Sequence, residues 1–358
     1  LRLYTLDEEV TENASLPKRL YPELVRGIAM VELFREGWVE PPQTHRQHFS
    51  TAVHQVLSIL RQTGGTTAKE LYERLCAQGA FRKIDRAQFS TLLRGMAKHE
   101  VLEAVPGGEL ILAPAGERIV ESRDFYAAFV TTIEYVVEWA GQPIGMLPHD
   151  CIPGENEFML LAGRRWQVVR IDRDVRRVLV QPAKGWKKPQ FSGGGGGLHP
   201  SVMARMRRVL ASLEEYPYLH ENGRQLLNQG RSVFRESSLH ECDLWSGHNT
   251  VRWFPWAGSR VHRTLHLSAL AEGLKVSCDN LSLEYRSVAP EEFAAHLLKI
   301  AKGEYAESDV LAEVDVFLRD RFDEVVDPEL LHRAYASEEL DFEGARTSST
   351  GLLQQLSP

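Results

Sequence analysis

An α+β fold is predicted for this 358-residue chain on three observations. Between Ser50 and Glu117, three segments of helical apolar spacing lead into a short glycine-centred hairpin. From Phe125 to about Val180 the apolar period shortens to alternation, in several short runs punctuated by Gly, Pro and Asp. Helical spacing returns after the glycine run Gly193–Gly197, interrupted by strand-like runs in NTVRWFPWAG and LKVSC. The expected order is a helical domain with a wing, a β-rich barrel-like module, and helical C-terminal additions.

The elements follow in order. Leu1, rather than Met, opens the chain, and LRLYT reads as a short strand with nothing before it to pair with. That points to a fragment whose first strand belongs to a sheet built from preceding residues. In YPELVRGIAMVELFRE, Leu24, Val25, Ile28, Val31 and Leu33 recur at mostly helical spacing behind a Pro near the helix start, and Gly37, Pro41 and Pro42 close the segment. It suits a connector helix. STAVHQVLSILRQTGG then places Val53, Val56, Leu57 and Leu60 on one face, and TAKELYERLCAQG turns Leu71 and Leu75 inward. DRAQFSTLLRGMAKHEVLEAV starts on an Asp able to cap it and buries Phe89, Leu92, Leu93 and Met96. EAVPGGELILAP supplies two strands around Pro106, Gly107 and Gly108. Three helices and a wing describe a winged helix domain. Its third helix projects Arg86, Gln88, Ser90, Arg94 and Lys98 outward, toward a nucleic acid, or simply into solvent if the unit is a packing module.

The strand-like runs EYVVEWAG, QPIGML, EFMLLAG, RRWQVVRID and RRVLVQPA suggest a small curled sheet or barrel. Its edge would display Arg164, Arg165, Trp166, Lys184, Trp186, Lys187 and Lys188. Alternation puts Trp166 with Val168 and Arg170, so it does not by itself bury the indole. From Leu161 to Leu210 there are 12 Lys/Arg against 2 Asp, inside a chain whose formal net charge is −7. Cations interleaved with tryptophans fit a surface that follows phosphates and stacks on unpaired bases. A solvated basic face with core tryptophans fits the same composition. The glycine run reads as a linker or a close backbone approach. From Glu291 to Glu343 the chain holds 5 basic and 16 acidic residues, expected as a solvated acidic helical tail or one that folds against the basic block. Residues 344–358 are expected to fray. The predicted boundaries are 1–49 (end of a preceding domain and connector), 50–123 (winged helix), 124–290 (β-rich module with an inserted helical segment), 291–343 and 344–358.

Composition excludes several classes. No apolar run approaches the roughly 20 residues of a membrane helix, and no secretory signal opens the chain, so it reads as cytoplasmic. Cys76, Cys151, Cys242 and Cys278 lie far apart with no knuckle spacing. His240, Cys242 and His248 are three candidate metal ligands on one loop, too irregularly spaced to count as a site. There is no GxxxxGK[ST] run, so this chain is not expected to hydrolyse ATP by itself.

LRLYT, PELVRGIAMVELFREGWVEPP, FSTAVHQVLSILRQTGG, FSTLLRGMAKHEVLEA, FMLLAGRRWQVVRID and VLVQPAKGWKKPQFSGGGG together resemble the C-terminal half of an Lhr-type (large helicase-related) superfamily 2 helicase. VRWFPWAG and RTLHLSAL extend the likeness more weakly. The resemblance implies RecA-like motor domains ahead of this chain, which would carry ATP and Mg2+ and pull a single strand of DNA, or of a DNA/RNA hybrid, in the 3′ to 5′ direction. It implies that LRLYT closes the second motor domain, and that Trp166 stacks on a base while Arg164, Arg165, Lys187 and Lys188 hold phosphates. Stacking at about 1–3 kcal/mol per base would make Trp166→Ala costlier to binding than any single Lys change. The rivals are a stand-alone regulator, with the winged helix reading duplex DNA and the β module sensing a ligand or partner, and, third, a metal-dependent hydrolase around His240.

Overall fold

The computed structural model describes residues 14–43, 46–127, 134–148, 158–162, 164–172, 175–183, 197–247, 249–314 and 317–356, with Leu3, Thr5, Asp7, Val10, Ile152, Gly154 and Glu155 besides. The fold is mixed α+β. Helix α1 spans Leu16–Arg19 and α2 spans Pro22–Arg35. Asp7 caps α2 from outside, its carboxylate accepting from the Glu23 and Leu24 amides at 2.9 and 2.8 Å.

The next unit is built as the apolar spacing requires. Helix α3 (Phe49–Thr63), strand β1 (Thr66–Thr67) and helix α4 (Ala68–Tyr72) come first. A π turn over Glu73–Ala77 widens the end of α4. Helix α5 (Arg86–Lys98), strands β2 (Leu102–Ala104) and β3 (Glu109–Leu112), and helix α6 (Pro114–Glu121) complete the unit. The strands pair antiparallel in the order β1-β3-β2. Leu57, Leu60, Leu71, Phe89, Leu92 and Met96 fill the core beneath them.

Five strands follow: β4 (Glu134–Trp139), β5 (Gln142–Pro148), β6 (Phe158–Leu161), β7 (Arg164–Asp172) and β8 (Arg177–Pro182). Ala140 and Gly141, both at positive φ, make the tight β4–β5 turn. The order is β5-β4-β8-β7-β6, with β4 and β8 parallel. The expected barrel is corrected here. Among the described residues β5 and β6 share no hydrogen bonds and the sheet stays open, although it curls far enough for the Leu161 methyls to lie against Gly145.

Helices α7 (Pro200–Ala211) and α8 (Glu221–Glu236) close over α2, burying Leu24, Ile28, Met203, Met206 and Phe234. Strands β9 (Leu244–Gly247) and β10 (Thr250–Trp253), helix α9 (Ser259–Ala271), and strands β11 (Val276–Cys278) and β12 (Leu283–Arg286) follow. These strands form a sheet ordered β11-β12-β10-β9, which packs with α9, α10 (Pro290–Lys302) and α13 (Phe342–Leu356). Between the last two helices lie α11 (Glu307–Ala312) and α12 (Pro328–Glu339).

Two expectations for the C-terminal part are overturned. The acidic stretch 291–343 is not a solvated tail, because Phe322, Val326, Leu330, Leu331 and Ala334 enter the core shared by α3 and α5. The Phe322 amide donates to Ser50 Oγ at 2.9 Å, joining positions 272 residues apart. Two of its carboxylates are paired with arginines outside the basic block. Glu338 and Glu339 meet Arg319 at 3.1 and 2.7 Å, Arg46 at 3.9 and 4.0 Å, and Glu339 also pairs with Arg263. Residues 342–356 are helical rather than frayed. Ala345, Ser349 and Leu352 form a narrow buried stripe, and Gly344 lets α13 close onto Val261 of α9. No helix among the described residues is long and apolar enough to cross a membrane.

If residues 317–334 are core, Phe322→Ala should destabilise the fold by about 3–5 kcal/mol, the range for emptying a buried aromatic site. Thermal and urea unfolding followed by circular dichroism measures this; a loss below about 0.5 kcal/mol would return the segment to the surface.

Candidate nucleic-acid interface

Helix α5 begins at Asp85, whose carboxylate accepts from the Gln88 amide at 2.8 Å while Gln88 Oε1 accepts from the Asp85 amide at 3.0 Å. This reciprocal cap occupies Gln88, which also receives Gln47 Nε2 at 3.1 Å, so Gln88 is not the free outward group its spacing suggested. Arg86, Ser90, Arg94 and Lys98 are all exposed and recur at every fourth position. They form one row about 18 Å long at 1.5 Å rise per residue. Exposed Ala87 and Ala97 lie beside it and leave the helix surface low. The Arg86 guanidinium rests 4.9 Å above the Tyr72 ring, and Arg94 Nη2 donates to Thr91 Oγ1 at 3.0 Å. Among the described residues, none of Arg86, Arg94 or Lys98 has a carboxylate within ion-pair distance. Arg82 and Lys83, exposed in the turn before α5, extend the row; sequence reasoning passed them over because they precede the helical spacing.

The surroundings of the row are asymmetric. The hairpin tip turns on Gly107 and Gly108 at φ 112° and 84°, and its strands carry Glu103 and Glu109 with no cation. On a flank of α5, a Cβ added to Gly95 would stand 2.9 Å from the Val325 carbonyl, so the C-terminal segment lies directly against the helix there.

The β module contributes less than expected. Trp166 is 3% exposed and packs with Tyr135, Met159, Val168 and Val178, so its faces are closed to a base. Its Nε1 donates to the Leu161 carbonyl at 3.1 Å, and its ring sits 5.5 Å from that of Trp139. The registers Met159↔Trp166 and Trp166↔Pro182 fix the inward face that alternation left open. Of the two neighbouring indoles, Trp139, at 39% exposed, is the one that reaches the surface. Arg164 is exposed and Arg165 half-buried. Lys184, Trp186, Lys187, Lys188 and most of the glycine run lie outside the described residues. Elsewhere the basic block is already neutralised in part: Arg177 meets Glu138 at 3.6 Å, Arg207 meets Asp243 at 2.9 Å, and Arg205 pairs with Glu36.

The other candidate chemistry is not assembled. His240 lies 3.5 Å from Glu241, Cys242 packs against the C-terminal sheet core, and His248 is outside the described residues. Among the described residues no three His, Cys, Asp or Glu side chains converge as a metal site. Cys278 Sγ lies 4.0 Å from His262 Nδ1, but burial holds the imidazole down to about 4. At neutral pH the ring is therefore uncharged and is not the imidazolium that an activated thiolate needs beside it.

No family model, curated protein or solved structure matches this chain.

Two outcomes are expected. Trp166→Ala should cost about 3–5 kcal/mol of stability in a melt, and any effect on binding should follow the loss of fold. For His262 the ordinary value is 6.5 and the folded one about 4. Above the ordinary value the ring is neutral in both states. As pH falls toward 4 the unfolded chain takes up a proton that the folded ring refuses, so stability drops across that window. The urea midpoint should therefore fall more steeply in wild type than in His262→Gln, and parallel curves would refute the buried neutral imidazole.

Proposed function

We propose that this chain binds a single strand of nucleic acid, as the strand-gripping C-terminal region of an ATP-dependent 3′ to 5′ helicase or translocase. One observation carries the reading: the row Arg86–Ser90–Arg94–Lys98, exposed and without carboxylate partners among the described residues, on the third helix of a helix–strand–helix–helix–strand–strand unit. That order supports a winged helix reading, in which phosphate contacts from the third helix would position a strand without reading bases. Binding would run along α5 and the Arg82–Lys83 turn rather than under the wing, whose glutamates repel phosphate. Arg164, Arg165 and Trp139 would continue the surface on the β module, Trp139 taking the stacking role first assigned to Trp166.

A motor partner is supported by α2. Its residues Met30 and Phe34 are 55% and 77% exposed, and the Leu3 and Thr5 side chains lie against Gly27 of the same helix. An α/β domain, in the same polypeptide or another, would cover that apolar stripe. On this reading ATP and Mg2+ would be carried by that partner.

Fluorescence anisotropy on a labelled 3′-tailed strand, titrated with salt, tests the binding. Arg86→Ala, Arg94→Ala and Lys98→Ala combined should flatten the log–log salt slope by about 2, at about 0.7 per phosphate contact on a single strand. A blunt duplex bound better than the tailed strand, with a palindromic footprint, would replace this reading with that of a regulator.

A further inference from the structure

A cleft between α1, the end of α8 and the outer face of the C-terminal sheet gathers one aromatic ring, two cations and several hydroxyls. Trp245 stands on the edge strand β9, and its indole lies over Gly247. A Cβ on residue 247 would sit 2.8 Å from the ring, so glycine at that position is what lets the indole lie flat there. Its cross-strand neighbour is Arg252, 8% exposed and fixed by Asp279 at 3.1 Å, Ser282 Oγ at 2.9 Å and Glu284. Glu284 also receives Arg286 Nε at 2.5 Å. That carboxylate is thus neutralised by two arginines and offers little repulsion to an anion.

Across the cleft stands Arg19, half-buried and, among the described residues, without an ion-pair partner. Ser237 and Thr250 place hydroxyls on the rim. Among the described residues this half-buried guanidinium has no carboxylate, whereas Arg252, which lines the same cleft, has both Asp279 and Glu284.

We propose that this cleft binds a nucleotide unit, with the base on the Trp245 indole, the phosphate at Arg19, and the sugar within reach of Ser237 and Thr250. Indole stacking tolerates any base, and the fork of Arg19 suits phosphate oxygens. The unit is either a free mononucleotide or one nucleotide of a strand; the chemistry is the same. The proposal does not rest on α5, none of whose residues line the cleft.

The test uses the full chain with three probes: adenosine 5′-monophosphate, adenosine, and a short deoxyadenosine oligomer, followed by tryptophan fluorescence and calorimetry. Adenosine 5′-monophosphate should quench saturably. Trp245→Leu should weaken it about fivefold or more, as loss of one stacked base implies. Arg19→Gln should weaken the monophosphate but leave adenosine unchanged. Because Trp245→Leu can disturb packing, Ser237→Glu is the second variant; it sets a carboxylate on the half-buried rim and should weaken the monophosphate about tenfold in a protein whose melt remains cooperative. A monophosphate bound better than the oligomer identifies a free nucleotide, and the reverse identifies a strand. No saturation by any probe, or monophosphate affinity equal in wild type, Trp245→Leu and Ser237→Glu, overturns the proposal. Oligomer binding that survives Trp245→Leu but is lost with Arg86, Arg94 and Lys98 would leave the α5 reading standing while the cleft fell.

Discussion

Burial of Phe322, Val326 and Leu330 between α3 and α5 is the constraint on which the rest of the arrangement depends. The four helices and three short strands of residues 49–121 do not close their own core; side chains from some 200 positions later finish it. This fixes what α5 is. Its Gly95 position must stay small because the Val325 carbonyl and the Asp327 amide pass against it. It also fixes the C-terminal segment at both ends. The Phe322 amide is held by Ser50, and at the end of α12 the Arg260 guanidinium donates to the Ser337 and Leu340 carbonyls. The Glu338 and Glu339 carboxylates, drawn between Arg46, Arg263 and Arg319, are then an outcome of that route. Such partly exposed pairs stabilise little one by one, and the apolar contacts carry the larger share.

Local charge density turned out to be a poor guide to the unpaired surface, for a physical reason. The stretch 161–210 is rich in arginine, but folding brings Glu36, Glu138 and Asp243 to three of those arginines from well outside or at the margin of the stretch. Helix α5 holds fewer cations, yet its acidic neighbour Asp85 is committed to capping the helix. What reaches solvent as positive potential is the residue of pairing, which sequence spacing does not contain.

The elements themselves were legible because each follows local rules. Apolar spacing placed α3, α4 and α5; Gly107 and Gly108 marked the hairpin; and alternation marked all five strands of the β module. The row on α5 was legible too, since every fourth residue of a helix shares a side. Trp166 was not, because a period of two says which residues share a face and never which face is inside; the answer came from pairing with β6 and β8. The register shift between Val168 and Arg170 makes alternation fail even for residues of one strand. The C-terminal helices were misread for a related reason. Phe322, Val326 and Leu330 carry a clean spacing of four, but an excess of carboxylates dominated the composition, and their partner surface lies in another part of the chain.

The asymmetry around α5 bears on the choice between a strand and a duplex. A helix about 10–12 Å across fills a major groove about 12 Å wide, so a helix that reads duplex DNA needs both flanks clear for the two phosphate backbones. One flank of α5 is occupied by residues 323–329, whose direct contact with Gly95 is secured by the buried side chains on either side of it. The β2–β3 hairpin, which as the wing of a duplex reader would have to reach an adjacent groove, presents Glu103 and Glu109. A single backbone makes neither demand. It needs one open side lined with cations, which Arg86, Arg94 and Lys98 supply, and the same core packing that closes the other flank holds those cations in line.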